Sequence, residues 1–211
     1  MKQDPSIPDI LRDGMAMGLS LSEDMANRLL RFTALLRTKA IPLGLVSASD
    51  RSRMYQRHVK DSLRAAAPFR GADTTAFDLG SGAGLPGLVL AVAVPRGHFV
   101  LVEPRRLRIG FLELAVEALD LPNVEVAPVH AEEVSGLADV VTARAFAPLP
   151  RAWQVASPLL RPSGRLIYFA GESVQDPVGE ARIAAREGPP AEVTADRVLA
   201  TSPPLVIMAR K

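Results

Sequence analysis

The 211-residue sequence predicts an α/β protein: a mostly parallel β-sheet covered by helices on both faces, closed by an antiparallel hairpin and preceded by a helical extension. Three observations predict it. From Thr74 onward, short apolar runs alternate with helix-periodic segments; the first of these runs ends in a glycine-rich turn; and the residues before it show helical spacing alone. A hydrophobic share of 48% with 23% charged residues supplies one globular core and excludes a disordered tail.

Taken in order, Ile7, Ile10, Leu11 and Met15 predict a first helix. Leu21, Met25, Leu29, Phe32, Leu35 and Leu36 predict a second, with Ser20 and Glu23 as its capping box. After a loop around Ile41, Pro42, Leu43 and Gly44, a third short helix is expected from about Ser52 to Ala66, ended by Pro68 and Gly71. Residues 1–70 are thus expected to form a helical extension packed on a main domain of residues 71–211. In that domain, strands are expected at 75–79, 99–102, 124–129, 140–142 and 166–169, and helices at 85–94, 107–119 and 152–160. Residues 192–199 and 205–209 flank Ser202-Pro203-Pro204 as an antiparallel pair. A closing hairpin favours a methyltransferase-type sheet over the dehydrogenase type, which continues with another crossover helix.

Charge is unevenly placed: up to Ala76 there are twelve basic against eight acidic residues, and after it thirteen against fifteen. The overall +2 is too small to prove a nucleic-acid partner. With no cysteine, a disulfide scaffold, a thiolate metal site and a cysteine nucleophile are excluded. The three histidines, His58, His98 and His130, lie far apart in sequence, so no metal is expected. The greasiest stretch, 88–94, falls far short of the ~20 residues that span a bilayer, so a cytoplasmic protein without membrane contact is expected.

The chemistry concentrates at Asp78-Leu79-Gly80-Ser81-Gly82-Ala83-Gly84-Leu85-Pro86-Gly87, a strand running into a glycine turn and a helix. Glycines let the backbone approach a ligand, the helix start offers unpaired N–H groups, and the turn falls at the carboxyl end of a strand, where open parallel sheets bind ligands. Residues 82–87 also satisfy the dinucleotide template G-x-G-x-x-G. Asp78 decides between the two: its carboxylate would repel a pyrophosphate in the same turn but suits a ligand carrying an ammonium group, such as S-adenosylmethionine. Glu103, ending the second strand, can accept two hydrogen bonds from a ribose in either ligand. At the third strand end, His130-Ala131-Glu132-Glu133 places small and acidic residues where an adenine could be held. Arg144 ends the fourth strand; if buried, it requires either an acidic neighbour or a bound phosphate. Arg51, Arg53, Arg57, Lys60 and Arg64 form one basic patch that could meet phosphates, and Arg105, Arg106 and Arg108 another.

These residues, in their order, resemble the bacterial ribosomal RNA small-subunit methyltransferase G family over about residues 20–172. The resemblance rests on Arg57-His58-Val59-Lys60-Asp61-Ser62-Leu63, which is similar to the family's R-H-[IL]-x-D-S-[LI] segment, and on the 78–87 turn with its Leu85-Pro86-Gly87 tail. Phe111-Leu112, Leu121-Pro122-Asn123-Val124, Ala131-Glu132-Glu133 and Arg144-Ala145 add to it. It implies a Rossmann-like class I S-adenosylmethionine-dependent methyltransferase, a monomer acting on N7 of a guanine in 16S ribosomal RNA or the small ribosomal subunit.

By position, the resemblance puts cofactor-binding residues at Gly80, Leu85, Ala131, Glu132 and Arg144; Gly82 joins them from the glycine turn, and Asp78 and Glu103 from the class I pattern and the charge argument above. Guanine N7 has a free lone pair at neutral pH, so no catalytic base is expected, only positioning, with Arg144 as its candidate. A structural role is expected for His58, Asp61 and Ser62, with the His58 ring packed and hydrogen-bonded. Gly44-Leu45-Val46, Leu107-Arg108, His130 and Ala170-Gly171 depart from the family pattern, mostly by losing polar or cationic groups. Those departures keep open a class I methyltransferase with another acceptor, and the literal G-x-G-x-x-G match keeps open a nucleotide-binding module without catalysis.

Overall fold

The computed structural model describes residues 5–69, 74–171, 173–196, 198–199 and 202–210; Gly71, expected to end the third helix, lies outside them. Seven strands form one sheet: β1 (Thr75–Leu79), β2 (His98–Val102), β3 (Val124–Ala127), β4 (Ala138–Arg144), β5 (Leu160–Phe169), β6 (Ala191–Asp196) and β7 (Leu205–Arg210). Their order is β3-β2-β1-β4-β5-β7-β6. The first five run parallel, and β7 pairs antiparallel with both β5 and β6. The order reverses between β1 and β4, so the crevice for a ligand opens beyond Leu79 and Arg144.

The helices are α1 (Ile7–Ala16), α2 (Glu23–Leu35), α3 (Lys60–Leu63), α4 (Gly87–Ala93), α5 (Arg106–Leu119), α6 (Leu149–Ala156) and α7 (Pro177–Glu187). Strand side chains alternate between two cores, as the pleat requires. Ala76, Phe99, Leu101, Val140 and Ile167 share one with α4, α5 and the N-terminal Ile10, Leu29, Phe32 and Leu63. Phe77, Leu79, Val141, Ala143 and Leu166 share the other with Trp153 of α6 and Ala181 and Ala184 of α7. The extension is also tied through polar groups, because Arg28 and Arg31 of α2 donate to the carbonyls of Asp120 and Ala118. Those carbonyls belong to the end of α5, where the helix itself supplies no donors.

Four expectations are corrected. The α2 cap is Ser22, whose Oγ accepts from the Met25 amide at 3.2 Å; Glu23 is already the first helical residue and cannot close a box with Ser20. The expected third helix is regular for the four residues of α3 alone, between 3₁₀ segments at Ala48–Arg53 and Arg64–Phe69 and after a π-helical turn at Tyr55–Val59. α6 stops at Ala156, and Leu160 opens β5, whose first half is irregular and mostly polar and hides its strand character from an apolar pattern. Between β5 and β6 runs a crossover helix the apolar pattern does not show, because α7 packs small residues, Ala181 and Ala184, against the sheet. That helix leads into β6 running parallel to β5, so β7 alone is reversed, and the β6–β7 pair is antiparallel as expected.

Candidate functional site

The turn after β1 is built from three glycines with positive φ, Gly80 (66°), Gly82 (57°) and Gly84 (77°). Its first amides are anchored rather than free: Gly80 and Ser81 donate to the Val102 carbonyl at 2.9 and 3.1 Å. A Cβ on Gly84 would lie 2.3 Å from Leu88 Cδ1, and one on Gly87 2.3 Å from Leu101 Cδ2, so close packing demands glycine at both. Gly82 differs. A Cβ there would meet nothing nearer than the Gly80 carbonyl at 3.7 Å, so this part of the turn faces open space. The helix start does not offer the free donors the sequence suggests, since the Gly87 amide goes to Asp78 Oδ2 and the Leu88 amide to the Gly84 carbonyl.

Two carboxylates lie under this turn. Asp78 is 2% exposed; its Oδ1 accepts from Thr142 Oγ1 at 2.7 Å and its Oδ2 from the Gly87 amide at 3.1 Å. Burial pushes its carboxyl up to about 6, while the bonds from Thr142 and Gly87 pull the other way. Glu103 ends β2 and is 1% exposed; Oε2 accepts from the Gly82 amide at 3.1 Å and from Arg108 Nη1 at 3.2 Å, and Oε1 from the Arg105 amide at 3.1 Å. Each carboxylate keeps acceptor capacity beyond these bonds, as an ionised carboxylate has about four lone-pair sites. The remaining members of the expected set surround the turn more loosely. Leu85 precedes a cis Pro86, Ala131 is buried in a 3₁₀ turn, and the half-exposed Glu132 pairs with Arg151 at 2.6 Å.

Arg144 stands apart from that group. Of the two partners its burial requires, the structure supplies the acidic neighbour, Asp61, at 3.6 Å. Its Nη1 donates to the His58 carbonyl and Ser62 Oγ, and its Nη2 to the Arg57 carbonyl and His58 Nδ1, at 3.1 to 3.3 Å. The Arg-His…Asp-Ser segment therefore has an identifiable job, which is to hold this guanidinium. His58 is hydrogen-bonded as expected, its Nε2 lying 3.0 Å from Asp50 Oδ2. Burial pulls the His58 pKa down, Arg144 adds to that, and Asp50 opposes it.

Beside Arg144 opens a cleft of about 700 Å³ whose wall includes Arg53, Arg57, Arg64, Asp61, Phe146 and Phe169. Arg64 and Arg144 both lie over the Phe169 ring, at 5.1 and 5.8 Å from its centroid. Ala145 adopts φ 51°, a strained value for a side chain with Cβ, and the next residue, Phe146, lies against the glycine turn. A Cβ on Gly80 would come within 2.9 Å of the Phe146 ring. Phe146 thus touches both the turn and the cleft.

The two expected basic patches sort differently. Arg51, Arg53 and Arg57 are exposed, and the last two share Asp50 at 3.5 and 3.4 Å. Lys60 is turned inward onto Asp13 at 2.7 Å, and Arg64 is 2% exposed and paired with Asp61 at 2.8 Å. Arg105 and Arg106 are exposed, whereas Arg108 is engaged with Glu103. Sequence reasoning missed Thr142, Phe146 and Phe169, which meet neighbours distant in the chain, and Asp50, which meets His58 eight positions on. For Thr142, a polar residue inside the otherwise apolar fourth strand was the available signal. Among the described residues no group of three His, Asp or Glu could hold a metal ion.

The family model described as rRNA small subunit methyltransferase G matches residues 25–188. The chain belongs to this family. Named members include ribosomal RNA small subunit methyltransferase G of Nocardioides sp., 38% identical over 180 residues that cover 84% of this chain and 69% of that one. The methyltransferase G of Clavibacter michiganensis is 37% identical over 182 residues, covering 85% of each. Among solved structures, a SAM dependent methyltransferase from Aquifex aeolicus aligns with a TM-score of 0.58 at 15% identity, covering 80% of this chain and 97% of that one. M. jannaschii TYW2 in complex with AdoMet aligns with a TM-score of 0.58 at 16% identity, covering 74% and 75%. Identities this low speak to the fold alone: the chain has the class I methyltransferase fold, with helices preceding the sheet.

Proposed function

We propose that this chain methylates N7 of a guanine in 16S ribosomal RNA, using S-adenosylmethionine. One observation carries the reading. Across the switch point, a glycine turn underlain by two buried carboxylates, Asp78 and Glu103, faces a cleft walled by four arginines, Arg53, Arg57, Arg64 and Arg144. The first suits a cationic amino-acid nucleoside, the second a polyanion. Membership of the methyltransferase G family, whose named members act on small-subunit ribosomal RNA, supports the same assignment.

The residues present fit the methyl donor. The open face at Gly82 gives room for it, Glu103 has acceptor capacity for ribose hydroxyls, and Asp78 places negative charge beneath an ammonium group. Leu85, Ala131 and Glu132 are the further residues that would hold the donor. When bound, S-adenosylmethionine supplies an electrophilic methyl group on a cationic sulfonium.

The chain's own work is then positioning. Guanine N7 carries a free lone pair at neutral pH, so no side chain has to remove a proton, and holding the base in line supplies the rate. Arg53 and Arg57 take the phosphates at the mouth of the cleft, with Arg51, Arg105 and Arg106 extending the basic surface. Arg144 acts as a fixed strut that keeps the arginine-bearing turn against β4. In this reading the protein works as a monomer in the cytoplasm, where its RNA is; no described helix is long and apolar enough to cross a membrane.

The test is transfer of labelled methyl to 16S RNA or small subunits from cells lacking this gene, followed by mapping of N7-methylguanine. One labelled guanine is expected, with no transfer to subunits from cells that carry the gene. Labelling of an unrelated acceptor in place of RNA would overturn the assignment.

A further inference from the structure

Asp50, His58 and Arg144 form a hydrogen-bonded line at the wall of the arginine cleft. A guanidinium has only donors, so His58 Nδ1, 3.2 Å from Arg144 Nη2, must accept, and the single ring proton sits on Nε2 facing Asp50 at 3.0 Å. With that bond, all four N–H groups on the two terminal nitrogens of Arg144 are used: Nη1 by the His58 carbonyl and Ser62 Oγ, Nη2 by the Arg57 carbonyl and His58 Nδ1. Three of the four acceptors are backbone or a hydroxyl that cannot titrate in the working range. The imidazole is the one that can.

We propose that neutral His58 is a positioning residue for methyl transfer: its Nδ1 lone pair completes the cage that holds Arg144 and keeps Arg53 and Arg57 facing the cleft. A second proton would have to bind Nδ1. It would turn an acceptor into a donor aimed at a guanidinium, break the bond and add charge repulsion. The charged groups acting on the ring are Asp50 from the 3₁₀ segment before it, Arg57 from its own turn and Arg144 from β4. Asp61 of α3 stands 3.6 Å from the same Arg144 nitrogen, and Arg53 stands 3.5 Å from Asp50. The α2 helix also packs on this turn.

In its activity readout this inference rests on the RNA assignment above. The experiment measures kcat/KM for small subunits at saturating methyl donor across acid and neutral pH, with affinity for S-adenosylhomocysteine followed in parallel by calorimetry. The wild type is expected to lose kcat/KM toward acid, below the ordinary histidine range. His58→Asn keeps an acceptor near the Nδ1 position without a titrating ring; it should stay within ~3-fold of wild type at neutral pH and lose that acid limb. His58→Leu should lose at least ~10-fold in kcat/KM for RNA at neutral pH while S-adenosylhomocysteine affinity is unchanged.

The parallel calorimetry separates this limb from the titration of Asp78, which acts on the donor side. Wild type and His58→Asn sharing one acid limb, or His58→Leu matching wild type, would overturn the inference while leaving the RNA assignment standing. A wild type that methylates no RNA removes the assignment and the positioning role together. Imidazole nitrogen NMR gives a readout independent of activity: an unprotonated Nδ1 at neutral pH is expected, and an Nδ1–H tautomer overturns the cage.

Discussion

The two halves of the site solve opposite electrostatic problems with the same means. On the β1–β2 side, buried carboxylates are satisfied by backbone amides, with Gly87 on Asp78 and Gly82 and Arg105 on Glu103. On the β4–β5 side, a buried guanidinium is satisfied by backbone carbonyls, those of Arg57 and His58. Each half also carries one ion pair, Arg108 on Glu103 and Asp61 on Arg144. The halves differ in how far apart their parts lie in sequence. Both halves join distant segments, but the acidic half reaches less far, 21 positions from Gly82 to Glu103 and 64 from Asp78 to Thr142, against 82 from Ser62 and 87 from Arg57 to Arg144 in the basic half. A change in the basic half should therefore damage folding and RNA handling together, and a change in the acidic half should damage donor binding alone.

The sharpest way to break this contrast is Arg144→Ala. It strips four donors from the cage and leaves Asp61 with Arg64 as its ion partner, so a loss of ~3 kcal/mol or more in denaturant unfolding is expected, together with loss of methyl transfer. Arg144→Lys should recover little, because an ammonium cannot serve both sides of the fork. A variant as stable as the wild type would mean that the basic half is not structural.

Asp78→Asn tests the acidic half with the opposite sign for stability. The folded pKa is raised to about 6 from 3.8, so the ionised group weakens the fold, and its contribution is lost as pH rises through that range. The variant should be more stable than wild type by ~1–3 kcal/mol above pH ~6, with the advantage vanishing toward pH ~4. Its affinity for S-adenosylmethionine by calorimetry should drop at least ~10-fold, and wild-type affinity should itself weaken as pH falls through about 6. Loss of both stability and affinity would show that the Thr142 and Gly87 bonds outweigh the burial of charge.

Glu103→Gln should weaken the donor by about tenfold with little change in the unfolding midpoint, since an amide oxygen can keep the Gly82 bond. Smaller still is the effect expected at the cleft mouth. Arg53→Ala should reduce the salt dependence of RNA affinity by about one phosphate contact and leave donor affinity alone. Lys60→Ala should leave that salt slope unchanged, because Lys60 points to Asp13 rather than to the cleft. A change in slope for Lys60→Ala would restore it to the RNA surface.

How much was legible follows from the same distinction. The 75–79 strand is found where the apolar run puts it, and the parallel order and closing hairpin follow from the alternation of short runs and helical segments. Asp78, Gly80, Gly82 and Leu85 sit within one turn and could be read together. By contrast, α7 escaped because small side chains carry little periodic apolar signal, and the broken third helix escaped because a π-helical turn keeps helical spacing to the eye. The family segment containing His58, Asp61 and Ser62 was visible as a motif but not as a mechanism, since its partner Arg144 arrives from another strand.

By itself, then, the sequence determined the layered α/β architecture, the position of the glycine turn and the presence of two acids beside it, because each depends on neighbours in the chain and on the period of the backbone. Only the tertiary structure decided which charges are spent internally. Lys60 is paired with Asp13 and Arg108 with Glu103, Asp78 lies buried beneath the turn, and Arg144 is bonded to the Arg57–Ser62 segment. The physical reason is that a charge's role is set by burial and by the partners within hydrogen-bond reach, and here those partners come from segments that meet through packing of the sheet.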